Sequence, residues 1–449
     1  MDFVSIFRGL LGLILITGIA FLFSNNKRKI DWRMVGVGLI IQILIAVFII
    51  HGEALRSWFF PLGWVKDAVN WLGQAVVAVL GFTIEGSKFV FGKLADSTST
   101  DNLGFFFAFQ VLPTIIFVST LSALLYYFGI LQFVVKAVAY IMTKLLKTSG
   151  SETLSNTANI FFGQTEAPLL VRPYVAKMTQ SELLTIMIGG MATISAALIA
   201  SYSQLLGQAY AEAIKMQLQA AQLKFAVDLL AASTMAAPAS LIIAKILYPE
   251  VEESVTKGTV KIDVGKTASN VIEATATGAS EGLQLAINVA GMLIAFIALI
   301  AMFNYILLWA GNILNVNGYL QTSFGQPLSM QLIFGVILKY LAIGIGVPVR
   351  DAFQFGSLIG TKTVLNEFVA YVDLSNLIKQ GQISEKGITM ATYAICGFAN
   401  FSSIAIQIGG ISPMAPNRKK DIAAFGLKAV LGGALATLMT ATLAGIFVS

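Results

Sequence analysis

The feature that most constrains this chain is a set of long apolar segments, of which the segment 283–310 contains no charged residue at all. About 20 apolar residues in a helix are enough to cross the hydrocarbon core of a bilayer. Hydrophobic residues make up 57% of the 449 residues and charged residues only 12%. Soluble domains usually carry roughly 25% charged residues. The sequence therefore predicts an all-α polytopic membrane protein.

Basic residues indicate on which side of the membrane each loop lies. Lys27, Arg28 and Lys29 follow the first apolar segment, and a second basic stretch, 418–420, precedes the last one. Lysine and arginine are enriched in cytoplasmic loops, so we expect both stretches in the cytoplasm and the N-terminus outside. We expect about eight transmembrane helices, drawn from the segments 3–24, 34–50, 105–131, 183–206, 225–247, 283–310, 328–347, 388–411 and 422–448.

Two other parts of the chain are less apolar. The segment 53–102 interleaves tryptophans with charged residues, which favours interfacial amphipathic helices over a clean span. The segment 133–147 carries lysines beside apolar residues and is typical of a helix on the cytoplasmic surface. We expect a charged cytoplasmic loop over 250–266.

Side chains suited to metal binding or acid–base chemistry are scarce. The chain has one cysteine, Cys396, and one histidine, His51. A single cysteine excludes an internal disulfide and a multi-cysteine metal site. The net charge of +6 is modest and reflects cytoplasmic loops, so no nucleic-acid surface is expected. The first apolar segment has no small-residue cleavage site, which argues against a cleaved signal peptide.

Polar residues cluster in two stretches of this apolar chain. The stretch 159–168 reads Asn-Ile-Phe-Phe-Gly-Gln-Thr-Glu-Ala-Pro, and the stretch 366–371 reads Asn-Glu-Phe-Val-Ala-Tyr. Gly163 and Pro168 interrupt the first stretch, so a smooth helix is not expected there. Ionisable groups at membrane depth are costly and usually mark a functional site. We interpret both stretches as tips of re-entrant hairpins; taken alone, the first fits a polar cytoplasmic loop equally well.

The order span, surface or short helix, polar hairpin, span, span occurs twice, over 105–247 and 283–448. Each unit crosses the membrane three times, so the second is expected to be inverted, a pattern that indicates a secondary transporter. The alternative is that any polytopic chain can be cut into similar halves. The predicted regions are N-terminal helices (1–102), a first repeat (103–250, hairpin about 150–180), a loop with an interfacial helix (251–280) and a second repeat (281–449, hairpin about 348–380).

In an inverted repeat, the two hairpin tips are expected to meet near the middle of the membrane. Their free backbone amides and carbonyls would point into the site. Donors and acceptors with two carboxylates, and with no lysine or arginine among them, suit a polyhydroxylated heterocyclic solute better than an anion. The side chains expected to line this cavity are Gln164, Thr165, Glu166, Asn366, Glu367, Asn400 and Ser403.

At these residues the sequence resembles the concentrative nucleoside transporter family. The family signature is a small residue, any residue, lysine, three residues, and Asn-Glu-Phe-Val-Ala followed by an aromatic residue or Met. It is met in full by Gly360, Lys362 and the stretch 366–371. The runs 163–168 and 397–403 also match. The resemblance implies a homotrimer that imports nucleosides of the uridine, cytidine and adenosine class, with a scaffold and a mobile transport domain that moves like an elevator.

The resemblance also implies roles for individual residues. Gln164, Thr165 and Glu166 would contact the nucleobase, with Leu198 packing nearby. Glu367, Asn400 and Ser403 would hold the ribose hydroxyls, and a carboxylate can accept both protons of a diol. Phe398 and Leu285 would flank the nucleoside. A co-transported sodium ion would lie at Asn159, Phe162, Thr193 and Ile194, an all-oxygen shell that suits a hard cation; alternatively, Asn159 and Thr193 merely cap helix ends.

Other functions remain open at this stage. A proton-coupled nucleoside symporter, or an elevator-type transporter of another small polar solute, shares most of these features, and a passive channel shares the composition. Gly278, Ser280 and Gly282 fit the Gly-x-Ser-x-Gly pattern of hydrolases, but no histidine partner is near, so we expect no enzyme. The compact form without long terminal extensions suggests the inner membrane of a bacterium.

Overall fold

The computed structural model describes residues 3–95, 106–257 and 268–448, and in these residues the fold is all-α. The only extended pairing in this part of the chain is an isolated β-bridge between Ser149 and Lys257. The predicted fold class is confirmed. The region boundary at 102/103 and the second half of the predicted loop (258–267) lie outside the described residues.

The helices fall into three groups along the chain. The N-terminal group is α1 (Phe3–Leu22), α2 (Trp32–Ile50), α3 (Gly52–Trp58) and α4 (Trp64–Phe91). The first unit is α5 (Phe107–Gln110), α6 (Leu112–Tyr127), α7 (Ile130–Leu146), α8 (Gly150–Ala158), α9 (Arg172–Val175), α10 (Gln180–Ala192), α11 (Ala196–Ile214) and α12 (Leu218–Leu247). The second unit is α13 (Val271–Ile313), α14 (Asn317–Phe324), α15 (Met330–Gly344), α16 (Ala352–Val364), α17 (Glu367–Lys379), α18 (Glu385–Ile395), α19 (Phe401–Ile411) and α20 (Lys419–Phe447).

The two units follow the same order of elements. Each has a helical hairpin, an interrupted helix pair and a long closing helix: α8–α9, α10–α11 and α12 in the first, and α16–α17, α18–α19 and α20 in the second. We call these the first hairpin (150–175) and the second hairpin (352–379). That the second unit is inverted relative to the first stays a prediction.

Two segments expected to be single spans are interrupted in the structure. The segment 183–206 breaks between α10 and α11, where Thr193 is extended (φ −126°, ψ 168°). The segment 388–411 breaks between α18 and α19, where Gly397 has φ +154°, a conformation that L side chains rarely adopt. Both breaks leave backbone carbonyls and amides without helical hydrogen-bond partners, and both lie within apolar segments.

The segment 53–102 also differs from its interpretation as interfacial helices. Trp64–Phe91 is one continuous helix, and Trp64–Ala95 is long and apolar enough to cross a membrane. Eight helices in the described residues meet that criterion, which agrees with the expected number. The membership differs from the predicted segments: α4 is included, the segment 388–411 is split into two short helices, and the segment 328–347 contains only the shorter apolar helix Met330–Gly344. Pro238 lies inside α12 without ending it.

The long helices divide into a buried and an exposed set. Inside the single chain, 89% of the most apolar window of Gln180–Ile214 is buried, and 83% for Leu218–Leu247. For Trp64–Ala95 and Val271–Ile313 the value is 17%. The interrupted pair α10–α11 and the closing helix α12 therefore lie in the interior, and α4 and α13 present apolar faces outward.

Gly278 and Gly282 are packing residues in the middle of α13. A Cβ on Gly278 would lie 2.8 Å from Thr120 Cα, and a Cβ on Gly282 would lie 2.7 Å from Ile116 Cα. Small residues four apart allow membrane helices to approach closely. The stretch 278–282 lies within a continuous helix, so it lacks the strand–turn–helix setting of a hydrolase nucleophile.

We expect Gly282→Ala to lower the unfolding temperature in detergent, because its methyl group would overlap the backbone of α6. Overpacking of this kind costs about 1–3 kcal/mol. The control is Gly291→Ala in the same helix, where nothing lies within 4 Å of the added Cβ, and its unfolding temperature should not fall. Equal melting curves for the two variants would contradict close packing of α13 on α6.

Candidate functional site

The two interrupted helices meet at their breaks. A Cβ on Gly397 would lie 2.8 Å from the carbonyl oxygen of Met191 and 3.0 Å from the carbonyl carbon of Ala192. The glycine therefore lets the break between α18 and α19 lie directly against the end of α10. This contact brings four half-helix ends into one region, with partial positive charge at the helix starts and partial negative charge at the helix ends.

Glu367 lies at the start of α17, at the tip of the second hairpin, and is buried. Its Oε1 accepts a hydrogen bond from the Tyr202 hydroxyl (3.3 Å), and its Oε2 accepts one from Asn400 Nδ2 (3.0 Å). Both donors are neutral. The carboxylate is therefore satisfied by polar groups that leave its acceptor character intact, which is what recognition of sugar hydroxyls requires.

Asn400 connects the second hairpin to the start of α19. Its Oδ1 accepts hydrogen bonds from the Ser403 amide (2.9 Å) and from the Ser402 hydroxyl (2.7 Å), so it is the N-cap of that helix. Its backbone N–H donates to the Phe398 carbonyl (2.8 Å). One asparagine thus fixes the break, the start of α19 and the Glu367 carboxylate relative to one another.

Gln164 links the first hairpin to the second unit. Its Nε2 donates to Ser403 Oγ (3.2 Å), while its Oε1 is buried without a hydrogen-bond partner in the described residues. Beside it, a Cβ on Gly410 of α19 would lie 2.4 Å from Thr165 Cγ2. Gln164, Ser403, Asn400 and Glu367 therefore form a chain of neighbouring polar groups between the two hairpin tips, which we call the tip network.

The remaining predicted substrate residues surround the tip network less directly. Glu166 is exposed, and its Oε2 accepts a hydrogen bond from the Gly163 amide (3.2 Å). Leu198 is buried in the core near the start of α11, and Phe398 and Leu285 are half-buried. No hydrogen bond in the described part of the chain joins Glu166 to the tip network.

The predicted sodium residues lie where the first hairpin meets the break between α10 and α11. The Phe161 carbonyl accepts a hydrogen bond from the Ala196 amide (3.2 Å), which joins the two backbones. Asn159 Nδ2 donates to Ser155 O (3.0 Å), and the Asn159 Oδ1 is buried and unpartnered among the described residues. Thr193 donates to Gly189 O (3.0 Å). Phe162 and Ile194 are buried and can offer only backbone oxygens.

The tip network is closed in this conformation. A cavity of about 620 Å³ lies elsewhere, between α5, α11, α13 and α17, and its lining is mostly apolar. At the hairpin tips, the polar side chains bind each other directly. A solute would therefore bind there by exchanging these hydrogen bonds for its own.

Three residues near the hairpin tips were given no role in the sequence analysis. Tyr202 contacts Glu367, and Gln407 Nε2 donates to Met187 O (2.9 Å). Lys362 is buried and donates to Ala394 O (2.8 Å) and to Thr437 Oγ1 (3.0 Å). Lys362 belongs to the signature that was recognised, yet no role was assigned to it. Tyr202 and Gln407 lie in otherwise apolar helices, where only the tertiary structure reveals their partners.

Two hairpins, two interrupted helices and polar groups at their junction are typical of a secondary transporter. Comparison with known proteins defines the class further. Family models match over most of the chain: "Na+ dependent nucleoside transporter C-terminus" over residues 228–445, "Na+ dependent nucleoside transporter N-terminus" over 11–94, and "Nucleoside recognition" over 108–209.

Relatives identified by sequence agree with these matches. The chain is 42% identical to "Uncharacterized transporter YutK" of Bacillus subtilis, over 99% of this chain and 100% of that protein. It is 38% identical to "Sodium/nucleoside cotransporter 1" of Mus musculus, over 97% of this chain and 63% of that protein. The chain belongs to the Na+-dependent, concentrative nucleoside transporter family, as its motifs predicted.

Solved structures share the fold. The structure of CNTnw in an inward-facing, substrate-bound state aligns with a TM-score of 0.84 and 38% identity, covering 99% of this chain and 98% of that one. A double mutant of CNTnw in an outward-facing state also aligns with a TM-score of 0.84, at 37% identity and the same coverage. The relatives are transporters, so the expectation that this chain is not an enzyme is confirmed, and it is a multi-pass membrane protein.

We expect Asn400→Ala to destabilise the protein more than Ser402→Ala does. The first removes both a helix cap, about 1 kcal/mol, and a hydrogen bond to a buried carboxylate, about 1.5–3 kcal/mol. The second removes only a hydroxyl that donates to Asn400. The measurement is thermal unfolding of the purified variants in one detergent. A larger loss for Ser402→Ala would contradict a central role of Asn400 in the tip network.

Proposed function

We propose that this protein is a sodium-coupled symporter that imports nucleosides across the inner membrane of a bacterium. The observation that carries the proposal is the tip network, in which Gln164 of the first hairpin and Glu367 of the second are joined through Ser403 and Asn400. Its donors and acceptors are neutral apart from one carboxylate. Such a set suits a solute with several hydroxyls and ring nitrogens.

The two ends of the network are assigned to the two parts of a nucleoside. Glu367, Asn400 and Ser403 hold the ribose hydroxyls. Gln164 binds the base, because its carbonyl oxygen is buried with no partner among the described residues and is available to a donor of the solute. We assign further contacts around the base and the flanks of the nucleoside to Thr165, Glu166, Leu198, Leu285 and Phe398.

Sodium is assigned to the junction of the first hairpin with the break between α10 and α11. The buried, unpartnered Oδ1 of Asn159 supports this assignment, because a buried acceptor without a partner costs about 1–3 kcal/mol. Thr193 adds a side-chain oxygen, and Phe162 and Ile194 add carbonyl oxygens. Carbonyl groups at unwound helix ends coordinate sodium in other transporters.

Transport by an elevator-like movement is supported by the division of the helices. The hairpin helices α8 and α17 and the helices α10, α11, α12, α18 and α20 form a mostly buried body, whereas α4 and α13 expose most of their apolar surface. We propose that the buried body carries the site and that α4 and α13 belong to the scaffold of a homotrimer. Relatives with inward-facing and outward-facing structures support alternating access, and the bacterial relatives support the proposed location.

Uptake into proteoliposomes tests the proposal directly. We expect labelled uridine to accumulate when an inward sodium gradient is imposed. Cytidine and adenosine are added as competitors, and we expect them to reduce uridine uptake. Accumulation driven only by a proton gradient would retain the nucleoside site and overturn the sodium assignment. Lack of nucleoside uptake under either gradient, from protein with a normal unfolding transition, would favour a transporter of another polar solute.

Asn159→Ala tests the ion site separately. We expect it to abolish the sodium dependence of uridine uptake, because it removes the only side-chain oxygen of this site that lacks a partner in the described part of the chain. The matched control is Asn288→Ala on the exposed face of α13, where Asn288 accepts a hydrogen bond from Gln284 (3.0 Å). Sodium-stimulated uptake that persists in Asn159→Ala would remove the ion from this position.

A further inference from the structure

In both interrupted helices, the first half ends with backbone carbonyls that carry partial negative charge. The groups that compensate this charge differ between the two helices. α10 ends at Ala192 and α18 ends at Ile395, and neither end is closed by a backbone cap. The last carbonyls of a helix carry a partial negative charge of roughly half an electron. In the interior of a membrane protein, no bulk water is present to solvate them. Each open end therefore requires donors or a cation.

At the end of α18, that requirement is met by an ammonium group. Lys362 Nζ donates to Ala394 O (2.8 Å) and to Thr437 Oγ1 of α20 (3.0 Å). The lysine is 1% exposed. Burying a charge is costly unless good partners compensate it, and here the compensation comes from the open end of α18 and from the Thr437 hydroxyl. Tyr371 adds a neutral donor, its hydroxyl, to Thr392 O (2.9 Å).

At the end of α10, the described donors are neutral. The Thr193 hydroxyl donates to Gly189 O (3.0 Å), and the Gln407 amide donates to Met187 O (2.9 Å). The first hairpin reaches this break through the hydrogen bond from the Ala196 amide to the Phe161 carbonyl (3.2 Å), and two residues earlier Asn159 has a buried side-chain oxygen without a partner among the described residues. This end of the first unit therefore offers acceptors where the second unit offers an ammonium group.

The two arrangements occupy matching places in the order of elements. Asn159 closes α8, the first helix of its hairpin, and the segment just after it is bonded to the interrupted helix through Phe161 O and Ala196 N. Lys362 lies in the last turn of α16, the first helix of the second hairpin, and reaches the interrupted helix that follows it. We infer that the Lys362 ammonium is a permanent cation of the second unit, which does at α18 what a bound sodium ion does at α10.

This inference rests on the proposed function for its comparison with sodium, but the lysine contacts stand by themselves. Lys362 is a positioning residue: it holds α18 against α16 and α20, and it thereby holds the break that carries Asn400. The second unit accordingly needs no ion of its own. Its part of the tip network keeps its geometry whether or not sodium is bound.

The experiment uses Lys362→Ala, which deletes the atoms from Cγ to Nζ. Two probes of the same size as the deleted group are added at equal concentration: n-propylammonium, which carries the charge, and n-propanol, which does not. Ionic strength is held constant with tetramethylammonium chloride. The unfolding temperature is measured without nucleoside, and uridine affinity is measured in sodium by calorimetry. Lys339→Ala is the control, because Lys339 lies over the rings of Phe324 and Tyr340 outside this junction.

We expect Lys362→Ala to lower the unfolding temperature and to weaken uridine binding by about tenfold or more, since it removes two hydrogen bonds donated by a charged group. Propylammonium should restore both, propanol should restore neither, and Lys339→Ala should not respond. Equal recovery with both probes, or recovery with neither, would overturn the inference.

A second variant covers the case in which Lys362→Ala does not fold. Lys362→Met keeps most of the side-chain volume without the charge, and we expect it to lose stability and at least about tenfold in uridine affinity. Unchanged stability would overturn the inference. If wild-type protein binds no nucleoside, the proposed function fails, while the unfolding temperatures still decide the role of Lys362.

Discussion

The structure depends on one constraint: every backbone group that a helix break releases inside an apolar protein has to find a partner. A continuous helix satisfies its own backbone, and an interrupted helix does not. This chain breaks two helices in its interior and places the breaks against each other, with Gly397 touching the end of α10. Gln164, Asn400 and Ser403 are buried polar residues at the place where those groups are released, so the breaks that cost free energy also create the site for the solute.

Some of the polar groups near the breaks have hydrogen-bond partners and others do not. The function that we propose depends on this difference. Asn400 uses its side-chain oxygen and its amide nitrogen fully, as a helix cap and as a donor to Glu367. Gln164 and Asn159 each keep a buried oxygen without a partner among the described residues. A protein interior rarely leaves such atoms unpaired. Unpaired acceptors at a junction of helix ends are therefore the places where a solute donor and a cation gain most by binding.

Lys362 adds a contrast between the two units. An ammonium group on a side chain cannot leave the protein, whereas an ion binds and dissociates. A transporter with a fixed cation at both open helix ends would have no coupling ion. A transporter with two exchangeable ions would lose the geometry of both hairpins whenever the ions dissociated. In the function that we propose, one fixed cation and one exchangeable cation would keep the second hairpin ordered while the first responds to sodium.

The sequence by itself determined the membrane class, the all-α fold, the two hairpins and the family, because apolar length and the motifs around Glu166 and Glu367 are local properties of the chain. It did not reveal the breaks at Thr193 and Gly397, since both lie in segments whose average hydropathy is that of an ordinary span. The tip network, with its contact between Gln164 and Ser403, joins residues that are far apart in sequence. The partners of Lys362 are equally distant in the chain, so a buried lysine and a surface lysine look alike in the sequence. Which helix end receives a fixed charge, and which acceptors stay unpaired, was decided by tertiary packing alone, because hydrogen bonds and burial depend on distances that no local pattern encodes.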